Sequence, residues 1–500
     1  MDRLSDIDIP ELADRIMQAA AHAHYALGFE TANEHPEPTS LEVVGQIPSW
    51  LSGTLLRTSP ARFEVGKTAL THWFDGHAML HRFEINSGKI TYCSRYLESD
   101  AAQEGSETGA LARGEYGTDP ERGVLSRLTS LVHAPKFTDN CNVNVVARGD
   151  MVLALTETPQ RLSLDPATLH VERHIDDAAD IAGQIATAHP HHDRSRSTIY
   201  STLLDLGLKS TCKLVATDDT TGKHSQLAEF AIDHPSYLHS FGMSAKHLIV
   251  ALAPFGVDPL AMALSGKPFI RNYRWRPELG LRFVVIDKQD GRIVVDTHAP
   301  PAFFFHHVNA FDEGNDLIVD MIIYSDAEIV GRLDLDRLRS TEPTSVVGQL
   351  HRFRIDLTTG GVTSVPLSDM ALEFPQINYE ANAGQPYRFV YGAGALGADF
   401  NDCIVKLDLD TGSSITWHDD GLYPGEPVFV ANPDGYQEDS GLLLSVALDP
   451  DAPCSWLIIL DATTLTECAR VRTPYPITFG FHGGFFPQAA AASPSEEDMQ

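Results

Sequence analysis

The sequence predicts an all-β protein, a seven-bladed β-propeller with helical insertions and with loops that cap one face. Three observations point to this fold class. Seven segments have the pattern of a β-hairpin, they recur 52 to 79 residues apart, and no Pro-rich or Gly/Ser-rich linker divides the chain between them. The spacing is wider than that of a WD repeat, as four-stranded blades with long loops require.

Each hairpin segment has alternating apolar residues on both sides of a turn rich in Asp, Asn, Gly or Thr. In chain order the segments are FEINSGKITY near Ile85, LSLDPATLHV near Leu164, VATDDTTGKH near Thr217, VVIDKQDGRIVV near Ile286, FRIDLTTGGVTSV near Asp356, VKLDLDTGSSITW near Asp408 and LIILDATTLTECARV near Leu460. Such turns occur in other multi-sheet β proteins, so the hairpins alone leave that architecture open.

The chain is interpreted as one domain with an N-terminal extension and a C-terminal tail. Residues 1–40 form an N-terminal extension, partly helical because Leu12, Ile16 and Met17 lie on one helical face. Residues 41–488 form the propeller. Residues 489–500 are small, polar and acidic, which predicts a disordered tail.

Charge and motifs exclude several functions. The chain has 37 Lys and Arg against 68 Asp and Glu, a formal net charge of −31, so no nucleic-acid partner is expected. No P-loop occurs, and we expect no organic cofactor. The N-terminus has no secretory pattern and no apolar run is long enough to cross a bilayer, which predicts a cytoplasmic protein.

Four of the 22 histidines have apolar or turn-like neighbours, unlike histidines in polar loops. They are His189 in QIATAHPHHD, His239 in HPSYLHSFGMS, His306 in PAFFFHHVNAFDE and His482 in TFGFHGGFFP. One such histidine is usually a hydrogen-bonded core residue. A propeller, however, brings distant segments to one axis, and imidazole is a ligand for iron, copper, nickel and zinc.

Three glutamates lie in apolar, strand-like segments where a charge is unfavourable. These are Glu157 in LALTETPQ, Glu373 in ALEFPQINY and Glu426 in LYPGEPVFV. A ligating histidine normally donates its second N–H to a carboxylate or a carbonyl, which fixes the tautomer. Taken singly, each glutamate is as well explained by an ion pair with Arg at a strand end.

The chain resembles the carotenoid cleavage oxygenases, a family of non-haem iron enzymes. Matching segments extend from about Gly53 to Pro487 and include THWFDGHAMLHRFEI, FTDNCNVNV, LTETPQ, FFHHVNAFDE, EFPQINYE, GEPVFV and FGFHGGF, with the His and Glu motifs in family order. The segments GEYGTDPERG and SRLTSLVH are more similar to the animal carotenoid and retinoid branch than to the stilbene-cleaving branch.

The resemblance implies a role for each of these residues. His189, His239, His306 and His482 would bind Fe(II) on the capped, metal-bearing face. Glu157, Glu373 and Glu426 would orient His239, His306 and His482, and His189 would have no carboxylate partner. Thr156 matches a threonine near an open coordination position, and Tyr116 and Tyr324 match aromatic residues that line the substrate tunnel, although ordinary packing would explain both tyrosines equally well.

The implied reaction is the cleavage of one C=C bond of a carotenoid or apocarotenoid by O₂, with aldehyde products such as retinal. Two alternatives use the same fold: cleavage of a stilbene or phenylpropenoid, and isomerohydrolase-like retinoid chemistry. A Tyr/Lys pair grips a phenol in the stilbene-cleaving branch, and in this chain Lys136 has no convincing tyrosine partner.

A polyene substrate dissolves in lipid, so the resemblance also implies peripheral contact with membranes. Val124, Leu125, Leu128, Leu131 and Val132 recur at helical spacing, as in helices that lie in a membrane interface. A second candidate combines Leu260, Met262 and Leu264 with Lys267, Arg271, Arg274 and Arg276. Packing of both segments on the propeller is the alternative.

Overall fold

The computed structural model describes residues 23–120, 138–176, 180–341, 348–397 and 400–488. Within these residues, seven antiparallel sheets of four to six strands are arranged as the blades of a propeller, which confirms the predicted fold class. The predicted N-terminal helix face, the tail, the segment from Val124 to Val132 and Lys136 lie outside the described residues.

Strands are numbered along the chain, and within each blade they follow one another in hydrogen-bonded order. Blade 1 consists of β1 (His35–Leu41), β7 (Lys89–Tyr96), β6 (His77–Asn86), β3 (Gly53–Arg62) and β36 (Gly483–Pro487). Blade 2 consists of β11 (Val171–Asp176), β10 (Gln160–Leu164), β9 (Met151–Leu155) and β8 (Asn144–Arg148). Blade 3 consists of β12 (Ile185–Ala186), β14 (Thr198–Asp205), β15 (Ser210–Asp218) and β16 (His224–Ile232), with β13 (His191–Asp193) also paired to β14.

The remaining blades follow the same plan. Blade 4 consists of β17 (Gly242–Met243), β18 (His247–Leu252), β21 (Leu281–Asp287) and β22 (Ile293–Ala299), and blade 5 of β23 (Phe303–Glu313), β24 (Asp316–Tyr324), β25 (Gln349–Asp356) and β26 (Val362–Ala371). Blade 6 consists of β27 (Glu373–Gln376), β28 (Phe389–Gly394), β29 (Cys403–Asp408) and β30 (Ser413–His418). Blade 7 consists of β2 (Val43–Gly45), β35 (Glu467–Arg472), β34 (Cys454–Asp461) and β33 (Gly441–Asp449), with β31 (Tyr423–Pro424) and β32 (Val428–Ala431) both on β33. Two short hairpins, β4 (Glu64–Val65) with β5 (Thr68–Ala69) and β19 (Phe255–Gly256) with β20 (Arg274–Trp275), lie outside the blades.

The ring is closed by both ends of the described chain. The C-terminal strand β36 pairs with β3, Leu55 opposite Phe485, and the N-terminal strands β1 and β2 extend blades 1 and 7. The first sheet therefore begins at His35, before the boundary at residue 41 that the sequence suggested. The contacts of β36 with β8 and β32, and of β23 with β17 and β27, mark the inner strands around the axis.

All seven predicted hairpins are present. Six share one turn, in which an aspartate side chain accepts the N–H of a residue two or three positions on and the residue four positions on has positive φ. The aspartates are Asp165, Asp218, Asp287, Asp356, Asp408 and Asp461. Blade 1 has a two-residue turn at Ser87 and Gly88, both with positive φ, which matches the twist of the strands.

Apolar side chains from facing blades fill the spaces between them. Phe83 of blade 1 and Leu444 of blade 7 are completely buried in one cluster, and Phe283 of blade 4 packs on Phe353 of blade 5 with ring centroids 5.2 Å apart. This packing fixes each blade relative to its neighbours, so inner strands that are distant in sequence hold side chains at fixed separations.

Helices are short and lie in the connections. They are α1 (Asp100–Thr108), α2 (Pro259–Ser265), α3 (Glu328–Arg332), α4 (Leu335–Leu338) and α5 (Tyr379–Asn382), with 3₁₀ turns at His24–Phe29, Trp73–Asp75, Arg194–Arg196, Phe269–Asn272 and Pro277–Leu279. Helix α2 begins at a capping aspartate, Asp258, which accepts the N–H of Ala261, and ends at Gly266 with φ 63°.

Candidate metal centre

Each of the seven blades contributes one of the His and Glu residues singled out in the sequence. Blades 1, 3, 4 and 5 provide the histidines, and blades 2, 6 and 7 provide the glutamates. In blade order the residues are His482, Glu157, His189, His239, His306, Glu373 and Glu426. All lie on an inner strand or on a loop next to one, except Glu157, which follows β9, the strand next to the inner strand of blade 2.

The imidazoles of the four histidines point at one another through their Nε2 atoms. Nε2 of His239 lies 3.0 Å from Nε2 of His189 and 3.3 Å from that of His306, and the His306 and His482 atoms are 3.1 Å apart. Four such ligand atoms all lie within 4.8 Å of one another. The second histidine of the FFHH segment, His307, bonds to Ser240 instead.

The opposite ring nitrogens of three histidines face carboxylates. Nδ1 of His239 lies 2.6 Å from Oε1 of Glu157, Nδ1 of His306 lies 2.6 Å from Oε2 of Glu373, and Nδ1 of His482 lies 2.7 Å from Oε1 of Glu426. A carboxylate accepts a hydrogen bond from a protonated Nδ1, and in a neutral ring Nε2 then carries a lone pair. His189 has no glutamate partner among the described residues.

This arrangement fits a bound cation. Burial lowers the pKa of His189, His239 and His482, in His482 to about 4, so these rings are neutral near pH 7. Four bare Nε2 atoms about 3 Å apart repel one another unless a positive ion lies between them. Two nitrogens bound to one metal at about 2.1 Å and at a right angle would be about 3.0 Å apart, so the observed separations suit a divalent metal.

Glu373 is held by three donors. His306 and the backbone N–H of Phe374 bond to Oε2, the latter at 3.0 Å, and the hydroxyl of Tyr324 donates to Oε1 at 2.6 Å. Burial would raise the pKa of Glu373, but His306 and these donors hold it below its ordinary value. Phe374 has φ 52°, which is rare for a bulky residue, and this strained backbone directs its N–H to the carboxylate.

Glu426 is the most enclosed of the three carboxylates. It is 1% exposed, and it accepts hydrogen bonds from Gln376 at 2.9 Å, from the Gly483 N–H at 3.0 Å and from Arg57 at 3.4 Å. Burial opposes its ionisation, but His482 and Arg57 hold its pKa below the ordinary range. Arg57 also donates to the backbone oxygen of Glu426, which fixes the loop between β31 and β32.

Glu157 has a tyrosine partner of its own. The Tyr237 hydroxyl lies 2.8 and 3.0 Å from its two carboxylate oxygens. Tyr237, Arg57, Gln376 and Phe374 were not recognised in the sequence, because nothing in their local segments marks them as partners of the glutamates.

The histidines lie at a cavity of about 690 Å³. His239, His306 and His482 line it, and its wall is rich in aromatic rings. These belong to Trp73, Phe74, Tyr116, Phe269, Phe305, Tyr324, Phe374, Phe400 and Phe481. The volume is in the range of small-molecule sites, and the rings favour an apolar ligand.

The three residues proposed to contact oxygen or substrate all line this cavity. Thr156 is 6% exposed and adjoins Glu157. The hydroxyl of Tyr116 is buried and has no hydrogen-bond partner within the described part of the chain. The hydroxyl of Tyr324 is already bonded to Glu373, so Tyr324 presents its ring to the cavity. Their roles with oxygen or substrate stay predictions.

The sequence is similar to that of a known protein family and to those of several of its members. The family model for "Retinal pigment epithelial membrane protein" matches residues 28–487. A mitochondrial carotenoid-cleaving dioxygenase from Mustela putorius furo is 33% identical over 516 residues, 91% of this chain and 95% of that protein. The β,β-carotene 15,15′-dioxygenase of Mus musculus is 32% identical, over 92% of this chain and 91% of that protein.

The structural similarity extends to a cobalt-substituted apocarotenoid oxygenase from Synechocystis. It has a TM-score of 0.83 and 26% identity, and the match covers 93% of this chain and 98% of that one. These matches confirm the resemblance seen in the sequence. With a family model matched over residues 28–487 and relatives above 30% identity over nine-tenths of its length, the chain belongs to the carotenoid cleavage oxygenase family.

Proposed function

We propose that the protein is an Fe(II)-dependent dioxygenase that cleaves one C=C bond of a carotenoid or apocarotenoid and yields aldehydes such as retinal. The observation that carries this proposal is the convergence of four imidazole Nε2 atoms beside an aromatic cavity. The names of its relatives, carotenoid-cleaving and β,β-carotene dioxygenases, support the substrate class.

The donor set favours iron for chemical reasons. Four neutral imidazoles suit several first-row divalent metals, but oxygen chemistry requires one that changes its oxidation state, which excludes zinc. Bound Fe(II) with open coordination positions would supply the activation of O₂. His189, His239, His306 and His482 would hold it.

The protein's own residues contribute orientation. Glu157, Glu373 and Glu426 each keep the proton of a histidine on Nδ1, so that Nε2 remains a lone-pair donor. Tyr324, Tyr237 and Arg57 hold these carboxylates in turn. The aromatic wall aligns the polyene and excludes water, because positioning of the reacting bond supplies much of the rate.

The decisive experiment measures metal content and products together. Protein reconstituted anaerobically with Fe(II) should bind one iron per chain and should convert β-carotene or an apocarotenal, under O₂, to aldehydes seen by mass spectrometry. His306→Ala should lose iron, whereas His307→Ala, the adjacent histidine, should retain it. Stoichiometric zinc without iron-dependent turnover would refute the proposal, and cleavage of resveratrol alone would assign a stilbene-cleaving activity.

We also propose that helix α2 docks on a membrane beside the cavity entrance. Leu260 and Leu264 of α2 are 60% and 65% exposed, and Met262, Leu264 and Lys267 line the cavity. Exposed apolar side chains next to a cation suit an anionic lipid surface. Arg271 contributes less than the sequence suggested, since Asp334 neutralises it through two hydrogen bonds. No helix in the described ranges is long and apolar enough to span a bilayer.

Vesicle flotation tests this docking. The protein should float with vesicles of phosphatidylcholine and phosphatidylserine, and Leu264→Glu should reduce the floating fraction several-fold because it places a negative charge in the interface. Val365→Glu, which changes an exposed apolar residue on the outer strand of blade 5, is the matched control. Equal flotation of both variants and the unmodified protein would contradict docking through α2.

A further inference from the structure

One carboxyl group in the cavity wall has no part in the metal centre. Glu115 lines the cavity, is 4% exposed, and belongs to the connection between α1 and β8. Three of the four clustered histidines have their own glutamates, so Glu115 is, with Asp119, an additional acid in a largely apolar chamber.

Hydrogen bonds hold Glu115 in a defined position. The Thr138 hydroxyl donates to its Oε1 at 2.8 Å and accepts the N–H of Asn140 at 3.1 Å. The Thr158 hydroxyl donates to the backbone oxygen of Thr138 at 2.8 Å. Thr138, Asn140 and Thr158 all line the cavity with Glu115, so these four residues form one polar section of its wall.

The surroundings of Glu115 oppose ionisation. Burial raises its pKa well above the ordinary value, and the nearby carboxyls of Asp75 and Asp139 raise it further, against the opposing hydrogen bonds of Thr138 and Asn140. A neutral carboxylic acid has an O–H to donate and an oxygen that accepts. A hydrocarbon end group placed against it would remove water from the acid and provide no partner in return.

We propose that Glu115 is the binding group of a polar subsite for an oxygenated end group of the polyene substrate, and that Thr138, Asn140 and Thr158, whose side chains bond within the protein, position it. Glu115 donates to, or accepts from, a hydroxyl or carbonyl oxygen on that end group, and the aromatic section of the cavity holds the rest of the chain. The substrate is then a polyene with a polar end. This assignment rests on the proposed carotenoid-cleaving function, whose substrate it specifies.

Binding can be measured without turnover, because a polyene quenches tryptophan fluorescence and Trp73 lines the cavity. Three carotenoids of one carbon skeleton are compared: β-carotene, its dihydroxy analogue zeaxanthin and its diketo analogue canthaxanthin. The unmodified protein should bind zeaxanthin or canthaxanthin about 10-fold more tightly than β-carotene, the effect of about one buried hydrogen bond. Whichever is preferred identifies the oxygen group.

Variants assign the preference to Glu115. Glu115→Leu should abolish it by weakening binding of the oxygenated carotenoid about 10-fold, whereas Glu115→Gln, which keeps a donor and an acceptor, should retain most of it. Leu333→Ala, at a half-buried apolar position of the same cavity, should weaken all three carotenoids alike. Circular dichroism verifies that each variant is folded.

Two results would overturn the subsite: equal affinity of the unmodified protein for all three carotenoids, or an unchanged preference in Glu115→Leu. The affinities of the unmodified protein for the three carotenoids test the subsite even if Glu115→Leu does not fold. Selective binding without iron-dependent cleavage would refute the proposed activity and leave the subsite standing. Iron-dependent cleavage without selective binding would support the proposed activity and refute the subsite.

Discussion

At the scale of single residues, the three glutamates of the candidate metal centre act through the histidines that they contact. We expect Glu157→Gln, Glu373→Gln and Glu426→Gln each to reduce iron retention or turnover by roughly 10- to 100-fold, since Gln keeps the shape but lacks the charge that holds the Nδ1 proton. Iron content per chain and the rate of aldehyde formation measure the effect.

The control for these variants is Glu229→Gln, at an exposed glutamate on β16 far along the chain from the glutamate motifs. It should match the unmodified protein in both measurements. If the variants of all three glutamates at the candidate metal centre also matched it, these glutamates would have no influence on the metal, and the short distances to Nδ1 would be packing alone.

The histidines and glutamates could be singled out in the sequence because they lie in apolar segments. A polar or charged side chain in such a segment is unfavourable unless it has a partner or a ligand. Their partners were not predictable. Arg57 and Glu426 are 369 positions apart in the chain, and only closure of the ring brings them together. Tyr324 lines the cavity, and its hydroxyl bonds to Glu373, a contact that no local pattern encodes.

At the scale of elements, the hairpin turn that begins at an aspartate repeats in six of the seven blades. Its final position requires positive φ, and Gly412 occupies it between β29 and β30 with φ 70° and with no atom within 4 Å of an added Cβ. Gly412→Ala should therefore destabilise the protein by about 1 kcal/mol through backbone strain alone. Chemical denaturation measures the change.

Gly207 provides the comparison, since it also has free space around an added Cβ but does not have positive φ. Gly207→Ala should be neutral or slightly stabilising, because it restricts the unfolded chain without strain. Equal effects of the two substitutions would mean that the turn adapts to a side chain. The turns were predictable from sequence because each of the six has the aspartate and four of them have Gly four positions on, whereas the positive φ of Phe374 has no such signal.

At the scale of the whole molecule, buried neutral histidines make stability depend on pH. His77 is 2% exposed, neither ring nitrogen has a partner in the described chain, and burial lowers its pKa to about 4. Burial lowers the pKa of His72 to about 4 and that of His81 to about 3. The unfolded chain binds protons below pH 6.5 where the folded chain does not, so stability should fall as the pH decreases from about 6.5 to 4.

The slope should reach about 1.4 kcal/mol per pH unit for each such histidine at the centre of this range. His77→Gln should flatten the dependence of the unfolding free energy on pH between 6.5 and 5. His234→Gln, at an exposed histidine, should leave it unchanged. A curve for His77→Gln parallel to that of the unmodified protein would show that His77 is protonated without cost.

The closing strand has a further consequence for the order of events during synthesis. His482 immediately precedes β36, so the fourth histidine of the candidate metal site is among the last parts of the propeller to leave the ribosome. A nascent chain cannot complete the metal site before β36 pairs with β3. We therefore expect any metal to be loaded after translation, and a chain ended by a premature stop codon between residues 306 and 482 would have three of the four histidines and an open ring. In this fold, the four histidines come together only in a chain that extends to the final strand.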